Sequence, residues 1–179
     1  HSKRIGGRMH SIARFVEPAS VAGVSVLTVD QGEAASTVSI YLPKLKRVRQ
    51  VAQSDRGKAF MDTDFSYADL GAQDVPSEKL KRLPDQVVDG RKAFVLQGPG
   101  GANSPYGQAT LYVDQATYVP LKAEYTDKSG ALFKRYTAKT LKKFKGRTLA
   151  AEATMENLPT RSQTTLNLLS LEDLTLGDE

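Results

Sequence analysis

Asp62, Asp64 and Asp69 stand close together in the chain and are its best approximation to a metal-binding loop. Carboxylate oxygens suit hard cations, but a calcium loop needs ligands at alternate positions over twelve residues, a central glycine and a closing glutamate, and that pattern is absent. Capping of a short helix, or ion pairing, accounts for these acids better. His1 and His10 are the only histidines, too few for a histidine metal cluster. Ser54 and Ser66 have no histidine base nearby in sequence, and no nucleophile elbow surrounds them. Gly98-Pro99-Gly100-Gly101 offers the glycines of a phosphate loop without its lysine-serine ending. The chain has no cysteine, which removes thiol catalysis, thiolate metal sites and disulfides together. These residues predict a protein that is not an enzyme and that uses no metal and no cofactor.

Charge is the second kind of chemistry on offer. The formal net charge is +5, and the cations gather in two places. Lys46, Arg47, Arg49, Arg56 and Lys58 make one cluster, and Lys134, Arg135, Lys139, Lys142, Lys143, Lys145 and Arg147 make another. Tyr41, Phe60 and Phe65 give the first cluster the aromatic company that a single-stranded nucleic acid would need. Asp62 and Asp64 beside those rings repel phosphate, so no nucleic-acid partner is expected. Arg47, Arg49, Arg56 and Lys58, set beside the apolar pair Phe60-Met61, are instead candidates for contact with an anionic lipid headgroup or an acidic partner protein. The plain alternative is a solvated strand edge, where lysine discourages further pairing.

The elements that must position these groups are strands. At 179 residues, 1–179 reads as a single domain able to bury a core. Arg8–Val16, Val21–Val29, Thr37–Leu42 and Lys46–Val51 read as strands, the second of them buried on both faces or facing a core on one side and a helix on the other. One short helix is expected at Phe65–Leu70, capped by Asp64 or Ser66 and ended by Gly71. A run of hairpins follows: Glu78–Val88, Lys92–Gln97, Gln108–Val113, Tyr118–Thr126, Leu132–Lys139, Thr148–Met155 and Ser162–Leu171. Asp89-Gly90 is the strongest two-residue hairpin signal. Strands recurring about every ten residues predict one curved antiparallel sheet of roughly eight to eleven strands. Alternation places Val119, Leu121, Ala123 and Tyr125 on one face, as it does Leu149, Ala151, Ala153 and Met155. An apolar sheet face of that width must be covered by helix or by ligand. No run approaches the roughly 18 apolar residues of a membrane-spanning helix.

One long stretch, Tyr41 to Leu70, reads YLPKLKRVRQVAQSDRGKAFMDTDFSYADL. Its pieces, Tyr41-Leu42-Pro43, Lys46-Arg47-Val48-Arg49, Ser54-Asp55-Arg56-Gly57, Phe60-Met61 and Asp64 to Leu70, resemble the segment that recurs in outer-membrane lipoprotein-sorting proteins of the LolA/LolB-like superfamily. Asp89-Gly90-Arg91, Ser104-Pro105-Tyr106-Gly107, Tyr112-Val113-Asp114, Pro120-Leu121-Lys122 and Met155 to Leu158 extend the resemblance over nearly the whole chain. Ala68 departs from it, standing where the family usually has an acid, and the family's N-terminal helix and first strands are expected to be missing.

The resemblance implies a half-open antiparallel β-barrel around helices, enclosing an apolar cavity for acyl chains. It implies a non-enzymatic protein of the Gram-negative periplasm that carries a lipoprotein or lipid. The partners implied are an inner-membrane transporter or an outer-membrane acceptor, with peripheral membrane contact. Val38, Ile40, Leu111, Val113, Leu121, Ala123, Leu149 and Met155 are the residues expected to line the cavity, with a mobile loop at Gly98–Gly107. The alternative is an accessory β-protein of an envelope transporter, its concave face filled by its own chain.

Overall fold

The computed structural model describes residues 1–17, 19, 21–31, 34–70, 79–100 and 104–170. It is mainly β and antiparallel throughout, and it divides into two compact units: His1–Asp74 with Gly101–Pro105, and Val75–Gly100 with Tyr106–Glu179.

The first unit holds β1 (Ser2–Ile5), β2 (Arg8–Arg14), β3 (Ser25–Gln31), β4 (Ala34–Leu42) and β5 (Arg47–Gln50), paired in chain order. The second holds β6 (Lys81–Val88), β7 (Arg91–Pro99), β8 (Gln108–Asp114), β9 (Pro120–Thr126), β10 (Leu132–Phe144), β11 (Arg147–Asn157) and β12 (Ser162–Asn167), again each paired with its sequence neighbour. The strands thus form two antiparallel sheets where one was expected, and among the described residues neither closes on itself, in keeping with the expected half-open form. Asp89 and Gly90 both take positive φ, the two-residue turn that matches strand twist. Pro84, which cannot donate to the ladder, coincides with a register shift between Leu83 and Gln86.

The first unit's core is Val24, Val26, Val38, Ile40 and Phe60, with Phe15, Met61, Tyr67 and Leu70 packed around it. Strand β3 is not buried on both faces. Val26 is buried and Leu27 is 37% exposed, because only one side of this sheet meets the core. The Tyr41–Leu70 stretch supplies the core's cover. Phe60 sits 5.3 Å from Phe15 and edge-on to Tyr67 at 5.4 Å. Its N–H donates to the carbonyl of Phe65 (2.7 Å), and Thr63 caps the turn by donating back to Phe60. Tyr67–Leu70 is a single 3-10 turn, shorter than the expected helix. The Asp69 carboxylate accepts from the Ser66 N–H (2.7 Å) and hydroxyl (2.9 Å), a capping box. Thr28 ties this turn to the sheet by donating to the Leu70 carbonyl. Gly57 is required by close packing, since a Cβ there would lie 2.9 Å from Pro105.

Candidate functional site

Register sorts the side chains of the seven-stranded sheet into two faces, one of which is rich in small apolar residues. Leu96 pairs with Leu111, Leu111 with Ala123, Ala123 with Tyr136 and Tyr136 with Met155. Residues directly opposite in an antiparallel ladder share a face, so these five form one row across β7 to β11. Around the row lie Ala109, Tyr125, Ala138, Ala151 and Ala153, all buried. Ala123 is 1% and Met155 2% exposed. Burial pushes the Tyr136 phenol above the ordinary tyrosine value.

The opposite face carries a polar network centred on Glu124, beside the buried apolar cluster of Ala93, Val95, Tyr112 and Leu121. Tyr112 donates to it at 3.0 Å, Lys122 lies at 2.8 Å and Arg135 at 3.3 Å, while Arg135 also reaches Glu156 at 3.5 Å. Burial alone would raise the Glu124 carboxyl. Hydrogen bonds from Lys122 and Tyr112, with the charges of Lys122 and Arg135, outweigh it and hold the carboxyl below its ordinary value. The Tyr112 phenol is pushed up, first by burial and then by Glu124. A face locked in this way is structural on one side and leaves the small-residue face as the candidate site.

Of the expected cavity residues, the register brings together Leu111, Ala123 and Met155. Val113 pairs with Phe94 one step along β8. Leu121 is displaced. The β8–β9 ladder slips between Tyr112 and Val113, leaving one extra residue in β9, and Leu121 packs with Ala93, Val95 and Tyr112. Tyr112 is opposite Lys122, so strict alternation of Leu121 with Ala123 is corrected by this bulge. Leu149 pairs with Lys142 on the far part of the β10–β11 hairpin, beyond the stretch that β9 pairs. Val38 and Ile40 belong to the core of the first unit. Alternation alone did not reveal Leu96, Tyr136 or Ala138 as neighbours of this face. Only cross-strand register does so, and register depends on bulges that no composition rule locates.

The basic candidates separate as well. Arg47 and Arg49 are exposed on β5, the edge strand of its sheet, with Val48 68% exposed between them. Lys58 is exposed and paired with Asp55 at 2.7 Å. Arg56 is 3% exposed and so is not part of that surface; its carbonyl accepts from Ala68 within the covering loop. Gly98 and Pro99 are strand residues of β7, and 101–103 of the expected mobile loop lie outside the described residues. Gly107 closes the loop's other end. A Cβ there would fall 2.0 Å from the Asp127 carbonyl oxygen, so no other residue fits.

Two concavities lie within single units. In the first, a pocket of about 230 Å³ is lined by Ile12, Val26, Thr28, Phe60 and Leu70 among others. That is below the roughly 300–1,000 Å³ of small-molecule sites. In the second, a depression of about 430 Å³ is bounded by Arg91, Lys92, Asp114, Gln115 and Ala116. Its buried acid Asp114 is engaged by the Thr117 N–H and hydroxyl and by Arg91, which makes it a turn-closing group. Among the described residues no group of three or more His, Asp or Glu side chains gathers to hold a metal ion.

A family model described as "Uncharacterized protein" matches residues 7–176. Comparison with curated proteins gives no match. Among solved structures, an outer membrane lipoprotein-sorting protein domain from Vibrio parahaemolyticus is 31% identical, with a TM-score of 0.84, covering 93% of this chain and 72% of that one. A DUF1329 family protein from Desulfovibrio piger is 25% identical, with a TM-score of 0.80 over 92% of this chain and 71% of the other. A LolA superfamily protein from Nitrosomonas europaea, 21% identical, has the same fold, with a TM-score of 0.69 over 94% and 77% of the two chains.

Proposed function

Because the chain belongs to the LolA/LolB-like family of outer-membrane lipoprotein-sorting proteins, we propose that it carries acyl chains in the Gram-negative periplasm. It takes them from a membrane or transporter partner and hands them on without chemical change. The cargo is the acyl part of a lipoprotein or a lipid, held against the Leu96–Leu111–Ala123–Tyr136–Met155 row. The observation that carries this reading is the row's composition. Ala123 stands in it and Ala109, Ala138, Ala151 and Ala153 surround it, where a self-sufficient core would carry larger side chains. An acyl chain gains about 0.8 kcal/mol per buried methylene, so a dozen methylenes suffice without a polar anchor. Exposed Arg47 and Arg49 are proposed to meet an anionic headgroup or an acidic partner protein.

One observation favours a second reading. Protein atoms alone already cover Ala123 and Met155 almost completely. A face filled by its own chain belongs to an accessory protein of an envelope transporter rather than to a carrier. Native mass spectrometry of protein purified from membrane-rich lysate separates the two. Co-purified lipid supports the carrier. A clean apo mass, with no binding of a fluorescent fatty acid, supports the accessory protein.

A further inference from the structure

The β10–β11 hairpin continues past the strands that pair with it, while Leu141 at its base still packs against the Ala93–Val95–Tyr112–Leu121 cluster. Strand β9 pairs with β10 only over Leu132–Thr137, and β12 pairs with β11 only over Glu152–Asn157. Leu141–Phe144 and Arg147–Ala150 therefore form a two-stranded ribbon beyond both neighbours. Lys145 and Gly146 close it with positive φ at both positions, the tight turn that keeps a ribbon tip narrow and stiff. No acidic residue occurs between Asp127 and Glu152. Lys139, Lys142 and Lys143 are exposed, and Lys145 and Arg147 stand at the tip. Register puts Lys142 and Leu149 opposite each other, with Phe144 and Arg147 next along the same face. Phe144 and Leu149 are half-buried. Lys143 and Thr148 occupy the other face.

We propose that this ribbon is a membrane-docking element whose lysines bind the phosphates of an anionic lipid bilayer, while Phe144 and Leu149 enter the headgroup boundary. Cations flanking an aromatic and a leucine match that interface, where basic side chains find phosphate and apolar ones find the acyl edge. A protein partner fits less well, since a stable interface takes about 800 Å² from each side and a ribbon tip offers little area. A nucleic acid fits less well too, since one aromatic makes no stacking platform. The proposal stands apart from the acyl-binding face and does not need it.

The test is flotation with vesicles of phosphatidylglycerol and phosphatidylethanolamine, against vesicles of phosphatidylcholine alone. The parent protein partitions onto the anionic vesicles, more weakly as salt rises, and ignores the neutral ones. Lys142→Glu with Lys143→Glu lowers partition at least about 30-fold, as expected from the loss of two basic residues near the surface. Both positions are exposed, so thermal unfolding matches the parent. Phe144→Ser weakens binding to the same vesicles but keeps its salt dependence. Lys81→Glu, at an exposed lysine of edge strand β6, leaves it unchanged. The proposal is overturned if the parent ignores anionic vesicles, if the double lysine variant binds them as the parent does, or if Lys81→Glu lowers binding as far as the double lysine variant.

Discussion

The two units bury apolar surface in opposite styles. The first fills its core with Val24, Val26, Val38, Ile40 and Phe60, and locks Phe60 between two other rings. The second lines one sheet face with Ala109, Ala123, Ala138, Ala151 and Ala153, and spends its large polar side chains on the other face around Glu124. A core of large branched and aromatic residues is finished when the chain folds. A face of alanines is shallow and takes its cover from elsewhere, either from the chain itself or from a ligand. The same substitution should therefore have opposite meanings in the two units.

The largest effect is expected where packing is complete. Phe60→Ala removes a ring that is 6% exposed and should cost about 3–5 kcal/mol, read as a lowered denaturant midpoint. A cost under about 1 kcal/mol would mean that the first unit's core is not closely packed. Gly107→Ala comes next, since its Cβ would meet a backbone oxygen that cannot swing aside; a loss of several kcal/mol is expected by the same measurement. On the alanine face, Ala123→Leu should cost about 1–3 kcal/mol if the face is packed by the chain itself, and less if it keeps space. Thermal unfolding with and without fatty acid distinguishes the two.

The polar face predicts a pH effect on stability. Glu124 has a carboxyl pKa lowered by folding, so its contribution is present above the unfolded carboxylate range and is lost as pH falls through the folded value. Glu124→Gln should lower stability at neutral pH and flatten that part of the acid loss. An unchanged pH profile would remove Glu124 from the account. The smallest effect belongs to Lys58→Ala. Its pair with Asp55 is well exposed, and a change within about 0.5 kcal/mol is expected.

The first unit was the more legible in sequence, because its signals are local. Pro43 and Gly57, the Ser66–Asp69 capping pair and the alternation of Val38 with Ile40 all act within a few residues. Even there β1 escaped notice, since Ser2–Ile5 has little apolar pattern and is held by pairing with Arg8–Ser11. In the second unit each hairpin was readable from its turn, Asp89-Gly90 above all. The row of residues across the sheet was not. It depends on the slip between Tyr112 and Val113 and on the irregular ladder near Thr140, neither of which leaves a mark in composition. The same irregularity lies where β10 continues to Phe144, past the expected end at Lys139.

The most direct test of the carrier reading is equilibrium titration of a fluorescent fatty acid into the parent, into Ala123→Leu and Ala153→Leu, and into Val38→Ala as a first-unit control. Saturable binding by the parent, weakened at least tenfold by either alanine-to-leucine change and unaltered by Val38→Ala, is the predicted result. No saturable binding by the parent, or equal binding by folded Ala123→Leu and Ala153→Leu, would contradict it.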